Sequence, residues 1–151
     1  MKDPFETRID RLELENFRLF ESLEVDFHPR LTVLTAPNGG GKTATLEALS
    51  LALGPYVDRV AWAAEHDYRS TKGFARRDIR LVPWIGGAGA PQFPVRFTAS
   101  GEIAGRSVAP WSWVLNSAKE RARTSSAGAA PLVAEARRAR QAYERGQKDG
   151  K

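Results

Sequence analysis

Leu31-Thr32-Val33-Leu34-Thr35-Ala36-Pro37-Asn38-Gly39-Gly40-Gly41-Lys42-Thr43-Ala44-Thr45-Leu46-Glu47-Ala48 passes from an apolar segment through a glycine cluster into a series of helix formers. The nearly continuous apolar run Leu31–Thr35 predicts a strand buried on both faces. Ala44, Leu46, Glu47, Ala48, Leu49, Leu51, Ala52 and Leu53 favour a helix over Thr43–Leu53. Leu46, Leu49 and Leu53 would form its buried face, widened by Ala48 and Leu51. Gly54-Pro55 predicts where the helix stops. A strand, a glycine turn and a buried helix in direct succession point to an α/β fold.

Residues 36–43 match the pattern G-x-x-x-x-G-K-[ST] at Gly41, Lys42 and Thr43, with Ala36 where the first glycine belongs. Such a loop works because successive backbone N–H groups converge on phosphate oxygens. Glycines let the backbone approach closely, and the helix that follows aims its positive end at the same anion. Ala36 adds one methyl group at the loop entrance. Lys42 would bridge the β- and γ-phosphates of a nucleotide, and Thr43 would hold Mg²⁺ through its hydroxyl. The plainer alternative is a flexible turn before a helix. A plain turn has no need of a lysine at a helix mouth, where its charge opposes the macrodipole.

Outward from this centre, Ile9–Phe17 reads as a strand, with Leu12 and Leu14 on one face and Glu13 and Glu15 on the other. Leu23, Val25 and Phe27 alternate with Glu24 and Asp26, giving a second strand paired antiparallel to the first through Arg18–Glu21. Beyond Pro55, Val57–His66 reads as helical or irregular, and Asp78–Val82 as a short strand. Gly86–Pro91 reads as a flexible loop. Phe93–Ala99 and Val108–Leu115 alternate as strands around a turn at Gly101–Gly105, with Val95, Phe97 and Ala99 on one face and Trp111, Trp113 and Leu115 on another. Thr124–Ala130 is small and polar and reads as a linker. Pro131–Arg145 reads as an amphipathic helix ending at Gly146, with Leu132, Ala136, Ala139 and Tyr143 in a stripe. The tail after Thr124 is thus expected to be mobile and dispensable for ligand binding.

Of the 151 residues, 42% are hydrophobic and 27% charged, ordinary values for a globular domain. Absence of cysteine excludes disulfides and cysteine-based metal sites, and His28 and His66 give no ligand spacing. No apolar run approaches the ~20 residues of a membrane helix. The polar start Met1-Lys2-Asp3-Pro4 lacks the apolar core of a leader, so no membrane and a cytoplasmic location are expected. Residues 1–118 carry 14 basic and 14 acidic side chains, whereas residues 119–151 carry 9 and 4, so the tail holds the whole net charge of +5. A solvated helix explains that excess most simply, and nucleic acid or an acidic partner is the alternative.

Asn16-Phe17-Arg18-Leu19-Phe20, Leu31-Thr32-Val33-Leu34, Asn38-Gly39-Gly40-Gly41-Lys42-Thr43 and Leu46-Glu47-Ala48 together resemble the N-terminal lobe of SMC, RecF and SbcC-type ATPases, the ABC-like branch of P-loop proteins. Leu49–Gly54 with Pro55 brings the chain nearer to ATPases of bacterial antiphage systems, such as PtuA of Septu and those associated with retrons. The resemblance is specific over residues 8–57, loose to Leu115 and not claimed for the tail. It implies a P-loop NTPase fold: an ABC/SMC-head-like lobe with a mixed sheet around the loop helix, an antiparallel β-arm and a C-terminal helix. It implies an ATP site at Arg18, Asn38, Gly39, Gly40, Gly41, Lys42, Thr43 and Ala44, with Mg²⁺ on Thr43. Arg18 would lie near the phosphates or ribose, and Asn38 would stiffen the loop by hydrogen bonding to backbone.

The expected organisation is an ATP-binding lobe over residues 1–118, a linker over 119–130 and a basic helix over 131–146. In such ATPases an acidic Walker B pair, a catalytic glutamate and a signature motif lie far downstream. No apolar strand here ends in adjacent carboxylates, and Asp67, Asp78 and Glu102 stand in the wrong contexts. Gln92 reads as an ordinary loop residue beside Pro91 rather than a glutamine-loop residue. The chain is therefore expected to be part of an ATPase, binding ATP without hydrolysing it. The complete form implied is a homodimer of heads acting in antiphage defence or DNA transactions, with DNA and a nuclease or reverse-transcriptase effector as partners. The rival expectation is a truncated, non-enzymatic nucleotide-binding or partner- and nucleic-acid-interaction module.

Overall fold

A computed structural model describes residues 7–61, 73–84, 87, 89–118 and 124–149. Its main sheet has four strands in the order β2-β1-β5-β6, every neighbouring pair antiparallel. They are β1 (Arg8–Phe17), β2 (Phe20–Asp26), β5 (Val95–Ile103) and β6 (Arg106–Leu115). Between β2 and β5 come the helix α1 (Lys42–Ala61) and a two-residue ladder of β3 (Leu81–Val82) with β4 (Ala90–Pro91). The helix α2 (Ala130–Asp149) follows β6.

The period-two patterns of the outer strands held because one face is buried and the other wet. Leu12, Leu14 and Phe17 of β1 face the core, as do Val95, Phe97 and Ala99 of β5 and Trp111, Trp113 and Leu115 of β6. Phe74 lies amid them, 5.9 Å from Phe97, 6.1 Å from Phe17 and 6.4 Å from Trp113 between ring centroids. On the opposite face Glu13 stands directly across from Glu24, a like-charged pair that repels. Arg11 offsets this by pairing with Glu13, Glu24 and Asp26. Its guanidinium is held above the ordinary arginine value, first by the hydrogen bond to Glu13 and then by Asp26.

Several expectations need correction. The strand Leu31–Thr35 joins no sheet among the described residues, and Leu31 and Val33 are each 71% exposed. With that segment unpaired, the sheets among the described residues are wholly antiparallel rather than mixed.

The helix does not stop at Gly54-Pro55 but continues to Ala61. Pro55 has no N–H for the carbonyl one turn back. The break falls inside a packed region: Gly54 and Pro55 are both buried. Beside it the Trp111 indole N–H donates to the Ala52 carbonyl at 2.9 Å. The remainder of Val57–His66, together with Asp67, lies outside the described residues.

The buried face of α1 is not the leucine face. Ala44, Ala48 and Ala52, spaced by four, are at most 5% exposed, whereas Leu46 is 58% exposed. Small side chains in that row let the helix lie close to its neighbours, and Leu49 and Leu53 pack at its edges. Around Gly101, expected to be a turn, β5 instead runs on to Ile103 and turns at Ala104-Gly105.

The tail is docked rather than loose. Ser125 exchanges backbone hydrogen bonds with Val114 at 2.7 and 3.1 Å, and Ala129, Leu132 and Ala136 are fully buried. Beyond residue 140 the side chains of α2 through Gly146 are exposed, and the helix passes Gly146 to end at Asp149. Tyr56 of α1 lies in the field of Glu135 of α2, and its phenol pKa is raised, by burial first and by that carboxylate second. Of the expected linker, residues 119–123 lie outside the described residues. Replacing Leu132 by Ala is expected to destabilise the protein by about 2–5 kcal/mol in denaturant unfolding, the range for a buried leucine. A mobile tail would give a change of less than about 0.5 kcal/mol.

Candidate functional site

The loop 36–41 takes its shape from close contacts that exclude side chains. Gly41 has φ +90°, and a Cβ there would lie 2.3 Å from Cζ of Phe20. A Cβ on Gly40 would lie 2.8 Å from the Ala36 methyl, so the residue replacing the first glycine of the pattern makes Gly40 obligatory. The Gly40 N–H donates to the Pro37 carbonyl at 3.0 Å, closing the turn. Gly41→Ala is expected to leave the sheet intact and to abolish the loop's ligand binding. Near-parental affinity in a folded Gly41→Ala protein would contradict the loop geometry.

Helix α1 opens from this turn. The Thr45 N–H and hydroxyl both donate to the Gly41 carbonyl, at 2.9 and 3.1 Å, and Thr45 is buried. The N–H groups of Gly41, Lys42, Thr43 and Ala44 find no acceptor among the described residues. Four unpaired amides at one helix start, approached through glycines, form a cradle for an anion. The Lys42 ammonium folds back to the carbonyls of Ala36 and of Pro37, the latter at 3.0 Å. The Asn38 side chain, expected to brace the loop, makes no hydrogen bond among the described residues and is exposed.

A cavity of about 320 Å³ covers the cradle, lined by Arg18, Leu19 and residues 38–44. The fold thus brings Arg18, Asn38, Gly39, Gly40, Gly41, Lys42, Thr43 and Ala44 together, although Arg18 comes from the β1–β2 turn. Its guanidinium is gripped from behind. Nε and Nη2 donate to Asp78 Oδ1 at 3.0 and 2.9 Å, and Glu47 of α1 pairs with Nη2. Neither carboxylate was legible as part of this site. Asp78 lies sixty positions from Arg18 in the chain, and Glu47 reads as a helix former. Gln92 is engaged within its own segment, its amide donating to the Ala90 carbonyl at 2.9 Å. No set of three metal-ligating side chains comes together among the described residues. No described helix is long and apolar enough to cross a membrane.

Comparison with known proteins agrees with this geometry. The family model described as an AAA domain matches residues 11–147. The chain is 38% identical over 88 residues to the DNA double-strand break repair Rad50 ATPase of Methanopyrus kandleri, covering 58% of this chain and 9% of that protein. It is 46% identical over 48 residues to the DNA replication and repair protein RecF of Mesorhizobium japonicum, 32% of this chain and 13% of that protein. To the OLD nuclease of Thermus scotoductus it is 34% identical over 70 residues, 46% of this chain and 12% of that protein. The chain therefore spans only about a tenth of the length of these curated relatives. With its α/β core, glycine loop and match over nearly its whole length, the chain belongs to the AAA domain family, on the side of the SMC/RecF/SbcC-like ATPases.

Proposed function

We propose that this chain binds ATP with Mg²⁺ at the loop 36–43 and forms the N-terminal lobe of an ABC/SMC-type ATPase head. The observation that carries the reading is the run of unpaired amides from Gly41 to Ala44 beneath a cavity rimmed by Arg18 and Lys42. In this reading the amides and Lys42 hold the β- and γ-phosphates and Thr43 offers its hydroxyl to Mg²⁺. Asn38 stays at the rim, and Arg18 meets the phosphates from the opposite wall.

The unpaired segment fits a lobe rather than a whole head. The backbone of Thr32–Thr35 makes no hydrogen bond among the described residues, and Leu31, Val33 and Leu46 are exposed. An apolar strand with free edges invites strand pairing. In the complete head, strands outside these residues would supply that pairing together with the groups that activate water. Two heads would then close on ATP as a homodimer. The relatives named for repair favour DNA as the substrate of the complete machine. Antiphage defence, with a nuclease or reverse-transcriptase effector in the cytoplasm, is the narrower form of the proposal and rests on Leu49–Pro55.

A second reading has one observation behind it. The exposed positions of α2 include Arg137, Arg138 and Arg145, a face suited to nucleic acid or an acidic partner. Titration calorimetry separates the two. Thr43→Ala is expected to weaken Mg-ATP binding about fivefold, the equivalent of ~1 kcal/mol, while leaving metal-free ATP binding unchanged. Equal loss with and without Mg²⁺ would remove Thr43 as the metal residue, and absence of ATP binding would favour the interaction module.

A further inference from the structure

Asp78 is 3% exposed, and both of its carboxylate oxygens are used. Oδ1 accepts from Nε and Nη2 of Arg18, and Oδ2 accepts the Ala75 N–H at 2.8 Å. A buried carboxylate persists only where charge and hydrogen bonds compensate it; here Arg18 is the hydrogen-bonded cation, with the exposed Arg77 Nε farther off at 4.0 Å. The backbone fixes the same pair a second time. The Arg18 N–H donates to the Asp78 carbonyl at 2.9 Å, and the Arg80 N–H donates to the Asn16 carbonyl at 3.0 Å. Phe17 and Ile79 form a β-bridge between these two bonds.

This double clasp holds an unfavourable backbone. Arg18 has φ 55° and Asn16 φ 50°, in the left-handed region that side chains other than glycine rarely adopt. Such conformations persist where the surroundings over-determine them, and they gather at ligand sites. The clasp delivers Arg18 to the wall of the phosphate-loop cavity. Two carboxylates occupy Nε and Nη2, while Nη1 donates to nothing among the described residues. Glu47 adds a tether to α1, one helical turn beyond Thr43.

We infer that Asp78 is a positioning residue of the nucleotide site, holding Arg18 so that its free guanidinium edge meets the phosphates. The inference rests on the proposed ATP reading of the loop and deepens it. An arginine held this way presents the N–H donors of Nη1 in a fixed orientation, which the flexible stem of lysine cannot do. Asp78 itself touches no ligand and acts only through Arg18.

Mg-ATP titration calorimetry on the full chain and five variants tests this. Arg18→Ala is expected to raise Kd about tenfold. Asp78→Asn is expected to raise it severalfold without touching the ligand. The Arg18→Ala/Asp78→Asn double variant is expected to match Arg18→Ala alone, because the aspartate has nothing left to position. Additive losses, or parental affinity in Asp78→Asn, overturn the inference. Should Asp78→Asn not fold, Arg18→Lys decides: it keeps the charge but loses the fork, and is expected to bind as weakly as Arg18→Ala. Parental affinity in Arg18→Lys overturns the inference. Lys42→Ala distinguishes the two levels. A chain that loses ATP with Lys42→Ala yet ignores Asp78→Asn refutes the role of Asp78 alone, whereas a parental chain that does not bind Mg-ATP overturns both readings.

Discussion

In a single-turnover experiment with labelled Mg-ATP, the chain is expected to hold the nucleotide and leave it uncleaved. Phosphoryl transfer needs positioned charge and an oriented water, not merely a bound triphosphate. The loop amides, Lys42 and Thr43 can position phosphates and metal. The two carboxylates that meet Arg18, Asp78 and Glu47, do not line the cavity, and both oxygens of Asp78 are already used. In the proposed partial-head reading, further strands would join at the free edge of Leu31–Thr35 and carry the missing groups. Adding a polypeptide that supplies them is expected to raise the cleavage rate by on the order of 10³-fold or more, the scale associated with completing a phosphoryl-transfer site. Cleavage by the purified chain alone, abolished by Lys42→Ala, would place a catalytic carboxylate within Met1–Lys151 and end the partial-head reading.

The geometry of the candidate site was more legible in the sequence than the packing around it. Gly41, Lys42 and Thr43 match a phosphate-loop pattern whose signal is local: consecutive amides at a helix start and one lysine. The strands β1, β2, β5 and β6 were legible because each has one wet face, so alternation survives in the sequence. Leu31–Thr35 misled for a physical reason. Its apolar character signals burial, and that burial is not realised among the described residues. Leu46 carries the same message on α1. Pro55 misled in the opposite direction, since a local stop signal was overridden by a buried helix face and by Trp111 at the break. Tertiary packing routinely outweighs such local preferences. The roles of Asp78 and Glu47 were invisible because they depend on an arginine that only the fold brings near.

Lys42→Ala is expected to cause the largest loss of ligand affinity of any single side-chain change in the loop. Lys42 is the one cation within residues 36–43. In this structure its ammonium caps the carbonyls of Ala36 and Pro37, which places it at the cavity mouth. Transfer of those hydrogen bonds from neutral carbonyls to anionic phosphate oxygens would add the attraction of opposite charges, and such charge-assisted bonds contribute about 1.5–3 kcal/mol each. Their loss corresponds to roughly a tenfold to hundredfold rise in Kd. The fold has little stake in this side chain, because its partners lie on the loop itself. Lys42→Ala is therefore expected to unfold within about 1 kcal/mol of the parental chain. The decisive measurement is titration of Mg-ATP into the folded parental chain and into folded Lys42→Ala by calorimetry. Binding by the parental chain and a dissociation constant at least about tenfold higher in the variant are expected; equal affinities in the two proteins would contradict a phosphate-binding role for the loop.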